Sequence, residues 1–171
     1  WKGSASLMAR TGESDYLKAD YLQDEGYDIG YPALTMDVAF AKAKIAALSY
    51  VRNSKQGTVR WETKGYYNYI DHAMDDTRRP PETVPMHMDM PGTSTTFGAF
   101  SALDLHLSDN HHIKVQVDGY HNKLWATMTM YPSDGSPMFM YTLANPVRSD
   151  VGLHISDVIS LNDKLTLTPS A

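Results

Sequence analysis

The sequence has no cysteine and no long run of apolar residues. The absence of cysteine excludes disulfide frameworks, thiolate metal sites and thiol catalysis. No segment approaches the roughly 20 consecutive apolar residues that a membrane-spanning helix needs, and no long segment carries a helical period. A net charge of −5 predicts that the chain does not bind nucleic acid. What the chain has in abundance is methionine and tyrosine, with 10 and 11 residues among 171.

Polar and apolar residues alternate along several segments, which predicts strands with one charged and one apolar face. At 58–72 the charged face is assigned Thr58, Arg60, Glu62, Lys64, Tyr66, Asn68 and His72, and the apolar face is assigned Val59, Trp61, Thr63, Gly65, Tyr67 and Tyr69. At 41–52 the charged face is assigned Lys42, Lys44 and Arg52, and the apolar face is assigned Ala43, Ile45, Ala47 and Val51. Similar segments at 4–10, 16–22, 96–107, 113–130, 151–159 and 165–168 bring the total to about eight strands. Asp157 interrupts one apolar face and predicts a bulge or a position near a membrane interface.

The connections between these strands are alternately short and long. The tight ones are 11–14, 53–57, 108–111 and 161–164, and the long ones are 24–38, 74–95 and 131–148. This alternation is typical of outer-membrane β-barrels, which have short periplasmic turns and long extracellular loops. We therefore predict an all-β fold, an antiparallel up-and-down meander of about eight strands that forms part of a transmembrane β-barrel. The alternative is a soluble β-sandwich or small barrel that binds sugar or metal and buries Trp61 and Leu103 under a second layer.

Several stretches resemble the barrel of TonB-dependent outer-membrane receptors, namely 19–34 with 36–38, 86–96, 107–110 and 152–157. The resemblance implies a 22-strand barrel with an N-terminal plug that imports a scarce metal complex, siderophore or similar nutrient. It also implies a place in the bacterial outer membrane. The implied partners are outer-membrane lipid, an extracellular small-molecule or metal substrate and the TonB complex, which acts through the plug. No plug, TonB box or C-terminal aromatic strand end is recognisable, so we expect 1–171 to be a partial barrel domain.

A methionine-rich segment at 85–91 is the sharpest chemical feature. Thioether sulfur is a soft ligand for Cu(I), and imidazole also suits copper. The candidate metal ligands are Met86, His87, Met88 and Met90, with Met128, Met130, Met138 and Met140 from the next long connection. His72 and Met74 at the loop base and Tyr66 are candidate substrate-binding residues. The alternative is that these methionines only fill gaps in loop packing.

No catalytic constellation accompanies these residues. The sequence has no nucleophile elbow, phosphate-binding glycine loop or zinc-protease helix. We therefore predict that the protein is not an enzyme and has no catalytic residues. The sequence indicates no cofactor, and copper is expected as a transported or loop-bound substrate.

Overall fold

The computed structural model describes residues 1–84 and 86–171, which form one antiparallel sheet. The strands are β1 (Lys2–Arg10), β2 (Asp15–Ile29), β3 (Asp37–Asn53), β4 (Val59–Asp75), β5 (His87–Ser108), β6 (His111–Tyr131), β7 (Met138–Leu143), β8 (Val147–Asn162) and β9 (Leu165–Leu167). One turn of 3-10 helix at Pro81–Thr83 lies between β4 and β5. All four predicted tight turns are confirmed. We call the end of the sheet that carries them the turn end, and the opposite end the outer end.

Each strand pairs with its predecessor in sequence except β8, which pairs with β6. β6 pairs with β7 near its outer end and with β8 over the rest of its length. The predicted antiparallel meander is therefore confirmed, with nine strands rather than about eight. The additional strand is β7. Its six residues are too few to show a clear alternation, and turn residues flank them on both sides, so the strand was not recognised from the sequence.

The predicted loop at 74–95 was too long. β4 continues to Asp75 and β5 begins at His87, so Met88 and Met90 are strand residues. The prediction was wrong because Pro91 normally argues against a central strand, since proline lacks an N–H. Here Pro91 pairs with Ala73 of β4, and the pairing between β5 and β6 is interrupted at Met90 and Pro91 instead.

The strand register defines two faces of the sheet. Trp61 pairs with Leu103, which pairs with Val115, and directly paired residues share a face. We call this side the apolar face. Arg60 pairs with Asp104 on the opposite side, which we call the polar face. The two faces predicted for β4 are therefore confirmed.

In β3 the two faces are the reverse of the prediction. Lys44 pairs with Tyr69 and Arg52 pairs with Trp61. Residues Lys42, Lys44 and Arg52 therefore lie on the apolar face, and Ala43, Ile45, Ala47 and Val51 lie on the polar face. The prediction was wrong because alanines occupy both parities of β3, so only the lysines suggested a polar side. A lysine or arginine at the border of an apolar surface can keep its charged group in water while its stem covers that surface.

The apolar face is not covered by a second layer in residues 1–84 and 86–171. Trp61 is 39% exposed, Val117 48% and Leu153 65%. A soluble sandwich would bury these side chains, so the sandwich alternative does not describe this sheet. No helix in the described residues has the length and apolar character needed to cross a membrane.

The mainly apolar stretch of this face is about as tall as the hydrocarbon layer of a membrane. In β5 this stretch covers the nine residues from Phe97 to Leu105, and in β6 it covers the nine residues paired with them, from Ile113 to His121. A tilted strand needs about 9–11 residues to cross the hydrocarbon layer. Both strands are much longer than this and extend toward the outer end.

Candidate metal centre

Four methionines form a row across four adjacent strands near the outer end. Met74 of β4 pairs with Met90 of β5, and Met128 of β6 pairs with Met140 of β7. The register between β5 and β6 is the same on both sides of the interruption, which places Met90 opposite Met128. Adjacent strands lie about 4.8 Å apart, so the row is roughly 14 Å wide.

Three more methionines form a second row, one step closer to the outer end. Met88 of β5 pairs with Met130 of β6, which pairs with Met138 of β7. Each of the three lies two residues from a member of the first row and therefore on the same face. We call the seven residues Met74, Met88, Met90, Met128, Met130, Met138 and Met140 the methionine array.

The methionine array lies on the polar face. Between Val59 and Asp75 the register of β4 with β5 is continuous, so Met74 has the same orientation as Arg60. Met74, Met88 and Met90 are half-buried, and Met138 and Met140 are each 46% exposed. The thioethers therefore remain partly accessible on this face. In a closed barrel the polar face lines the lumen.

His72 adds an imidazole to the same face, one step from the array toward the turn end. His72 pairs with Gly92, and a Cβ added at Gly92 would lie 3.3 Å from Cε1 of His72. Gly92 thus leaves room for the imidazole. Two rows of thioethers followed by one imidazole form a series of soft and intermediate ligands along the polar face.

His87 is separated from the array. It pairs with Tyr131, and its parity is opposite to that of Met88. Nδ1 of His87 lies 2.9 Å from Oδ1 of Asp76, whose residue is only 1% exposed. The Asp76 carboxylate also accepts hydrogen bonds from the Met88 N–H at 3.2 and 3.1 Å. Asp76 therefore secures the start of β5.

Met86 precedes β5 and is half-buried, but no strand pairing places it in the array. Pro85, at the start of the predicted segment, lies outside the described residues.

The carboxylates beside the array face away from it. Asp89 pairs with Asp75, and both have the parity of the apolar face. Tyr131, at the outer end of β6 and ten residues beyond His121, donates a hydrogen bond of 2.8 Å to Asp89. This hydrogen bond raises the pKa of Tyr131. The array is thus uncharged, and neither Asp75 nor Asp89 lies on its face of the sheet.

Tyr66 shares the polar face but is not brought to the array. It pairs with Gly98, six residues from His72 toward the turn end, which is roughly 20 Å along a strand. A Cβ at Gly98 would lie 2.5 Å from the Tyr66 hydroxyl oxygen, so the ring lies over this glycine.

Arg79 links the two connections at the outer end and was not recognised from the sequence. Its guanidinium donates a hydrogen bond of 2.8 Å to the Tyr31 carbonyl and another to the Asp37 carboxylate. Arg78 also forms an ion pair of 2.6 Å with Asp28. These contacts join residues more than 40 positions apart, so no local pattern could have revealed them.

The turn end holds a separate group of histidines. The rings of His106 and His112 stack with centroids 3.9 Å apart, and His111 Nδ1 lies 2.7 Å from Asp157 Oδ2. The pairing of β8 with β6 is continuous through Asp157, so the predicted bulge is absent. Among the residues that the structure describes, no group of three or more histidine and carboxylate side chains is arranged to hold a metal ion.

The sheet has long antiparallel strands, one polar face and one face whose apolar stretch is long enough to cross a membrane. These features define a segment of the wall of a transmembrane β-barrel. Comparison with solved structures agrees. The copper transporter OprC has a TM-score of 0.85 and 21% identity, with 99% of this chain and 27% of OprC covered. The ferric yersiniabactin uptake receptor FyuA from Yersinia pestis has a TM-score of 0.64 and 17% identity, with 95% of this chain and 26% of FyuA covered.

Both structures are TonB-dependent receptors, and this chain has the fold of a segment of their barrel. It spans about a quarter of their length. No family model matches the sequence, and no curated protein matches it.

Proposed function

We propose that this chain is part of the barrel of a TonB-dependent outer-membrane receptor that imports copper, without enzymatic activity. The observation that carries the proposal is the methionine array on the polar face. The partners are outer-membrane lipid on the apolar face, an extracellular copper ion or complex and the TonB complex, which would act through a plug. The domain assignment follows, with 1–171 as a partial barrel.

The chemistry of the array supports a soft ion as substrate. Thioether ligands are neutral and prefer Cu(I) over Ca²⁺, Mg²⁺ or ferric iron. Seven thioethers on four strands give an ion several neighbouring positions, so it can be captured without being held at one site. A ferric siderophore, whose iron is already enclosed by its own ligands, would gain little from such a surface.

The array also explains why so many methionines lie at one place. Methionine often fills irregular gaps in cores. The array instead lies in register across four strands on the polar face, which lines the lumen of a closed barrel. Thioethers in register on a lumen-lining face favour ligand binding over packing.

The test uses the complete barrel protein in detergent with Ag(I), a redox-stable substitute for Cu(I). Replacing Met88, Met90, Met128 and Met130 by leucine removes four thioethers but nearly conserves side-chain volume, so folding should be affected little. Calorimetry should show that Ag(I) binding weakens at least tenfold. The control is Met8→Leu, because Met8 lies in β1, far from the array in strand order, and is 61% exposed.

Cellular copper uptake provides the second readout. Cells that produce the four-leucine variant as their sole copper receptor should accumulate less copper than cells with the Met8→Leu control, measured by elemental mass spectrometry. Unchanged Ag(I) affinity together with unchanged uptake would show that the array only packs. If the four-leucine variant still imported a ferric siderophore, the assignment of copper as the substrate would be wrong.

A further inference from the structure

A row of basic and hydroxyl side chains crosses the apolar face near its outer end. Lys44 pairs with Tyr69, Tyr69 with Thr95, and Thr95 with Lys123. The four residues come from four adjacent strands and share one face. We call them the lysine row. It became apparent only from the register, because the parity of Lys44 in the sequence suggested the polar face.

The lysine row lies directly beyond an aromatic row. Tyr67 pairs with Phe97, which pairs with His121, and these positions are each two residues from the lysine row toward the turn end. Tyr67 is 45% exposed and Phe97 is 56% exposed. Exposed aromatic rings at the edge of an apolar face mark the membrane–water interface. The lysine row therefore lies at the depth of lipid headgroups.

Neither Lys44 nor Lys123 forms an ion pair with a carboxylate among the described residues. Both are exposed, and the ion pairs that lysines make among the described residues are those of Lys2, Lys18 and Lys55. Lys42, one step farther out, differs because it lies between Glu25 and Asp71 in the register. Two unpaired ammonium groups at headgroup depth are complementary to phosphate.

The position of the acidic residues restricts where an anion can bind. Asp37, Asp75 and Asp89 share a single register row on the same face, three rows from the lysine row toward the outer end. Like charge would repel a phosphate there. On the other side of the lysine row the surface is aromatic and then apolar. The lysine row is thus the basic band between an apolar and an acidic zone.

We propose that the lysine row binds the phosphate of an anionic membrane lipid, with the Lys44 and Lys123 ammonium groups as ion-pair donors and the Tyr69 and Thr95 hydroxyls as hydrogen-bond donors. The row spans three strand spacings, roughly 14 Å, and both lysine stems can lean toward a headgroup placed between them. The acyl chains of the same lipid would lie against Tyr67, Phe97 and the residues below. This proposal rests on the membrane contact of the apolar face in the proposed function.

The experiment measures binding of lipid A and of dephosphorylated lipid A to the complete barrel protein in dodecyl maltoside. The two lipids share their acyl chains, so their difference isolates phosphate. Lys44→Gln and Lys123→Gln should each weaken lipid A binding roughly fivefold, and the double variant roughly thirtyfold, as expected for basic residues at a charged membrane surface. Binding of the dephosphorylated lipid should not change.

The matched control is Lys64→Gln with Lys114→Gln. These lysines lie on the polar face of β4 and β6, so the control removes the same charge without touching the row. Equal losses in control and test variants would overturn the proposal, because they would reflect net charge alone. Arginine at positions 44 and 123 should preserve lipid A binding. The arginine variant should also keep the gel mobility of a folded barrel, which changes when the protein is heated.

Three further outcomes identify which assumption fails. If inorganic phosphate at millimolar concentration displaces lipid A completely, the row is a site for free phosphate and the lipid assignment is wrong. If both lipids bind equally well to every variant, the proposal fails while the membrane contact of the apolar face stands. If neither lipid nor detergent binds the protein, the proposed function fails as well.

Discussion

Replacing Val117 by arginine tests whether the apolar face meets hydrocarbon. Val117 pairs with Ser101 and Leu153, and this row is the third of five between Phe97 and Leu105. It therefore lies at the middle of the predicted membrane. An arginine on the lipid face at this depth costs about 2–4 kcal/mol. The free energy of unfolding of Val117→Arg should fall by this amount.

The depth dependence gives the prediction its control. Ile113 lies two rows away, at the edge of the apolar face, where arginine costs about 0–1 kcal/mol. Gln116 is the immediate neighbour of Val117 but points to the polar face. Arginine at position 116 or 113 should therefore leave stability nearly unchanged. The measurement is guanidinium unfolding of the complete barrel in phospholipid vesicles, followed by tryptophan fluorescence.

A second substitution separates lipid from a packed protein layer. Either environment would penalise arginine at position 117, but only fluid hydrocarbon accepts additional volume. Ala99 lies on the apolar face and is exposed, so Ala99→Leu should be tolerated there. Under a packed layer the larger side chain would cost about 1–3 kcal/mol. Equal unfolding midpoints for arginine at 117 and 116, or a destabilised Ala99→Leu, would refute the membrane assignment.

Two further predictions concern single contacts. Gly98→Ala should destabilise the sheet by about 1–3 kcal/mol because its Cβ would lie 2.8 Å from the Gly119 carbonyl oxygen and 2.5 Å from the Tyr66 hydroxyl. Gly65→Ala, whose Cβ would meet nothing within 4 Å, should not lower the denaturant midpoint. Asp76→Ala should cost about 1–3 kcal/mol because it leaves the Met88 N–H without its acceptor. Hydrogen exchange at the Met88 amide should accelerate, and unchanged protection would contradict the role assigned to Asp76.

The alternation of residues in β4, β6 and the second half of β5 was sufficient to predict these strands, their antiparallel order and the tight turns. Long strands with a regular period of two are read reliably because each residue repeats the same information about its face. In β3 that information was missing, since alanine fits either side and the lysines pointed to the wrong one. The register with β4 decided the faces of β3, because pairing transmits the orientation of one strand to the next.

The candidate site shows the same division. The chemistry of the candidate site was evident from the sequence, because methionines and a histidine lie close together along the chain whatever the fold. Their arrangement was not evident: strand pairing brought Met74 to Met90 and Met128 to Met140, and it separated His87 from both rows. Local residue types thus determined which ligands are available and that strands form. Hydrogen bonding between distant segments decided which side chains are neighbours, because that contact depends on register and not on proximity in sequence.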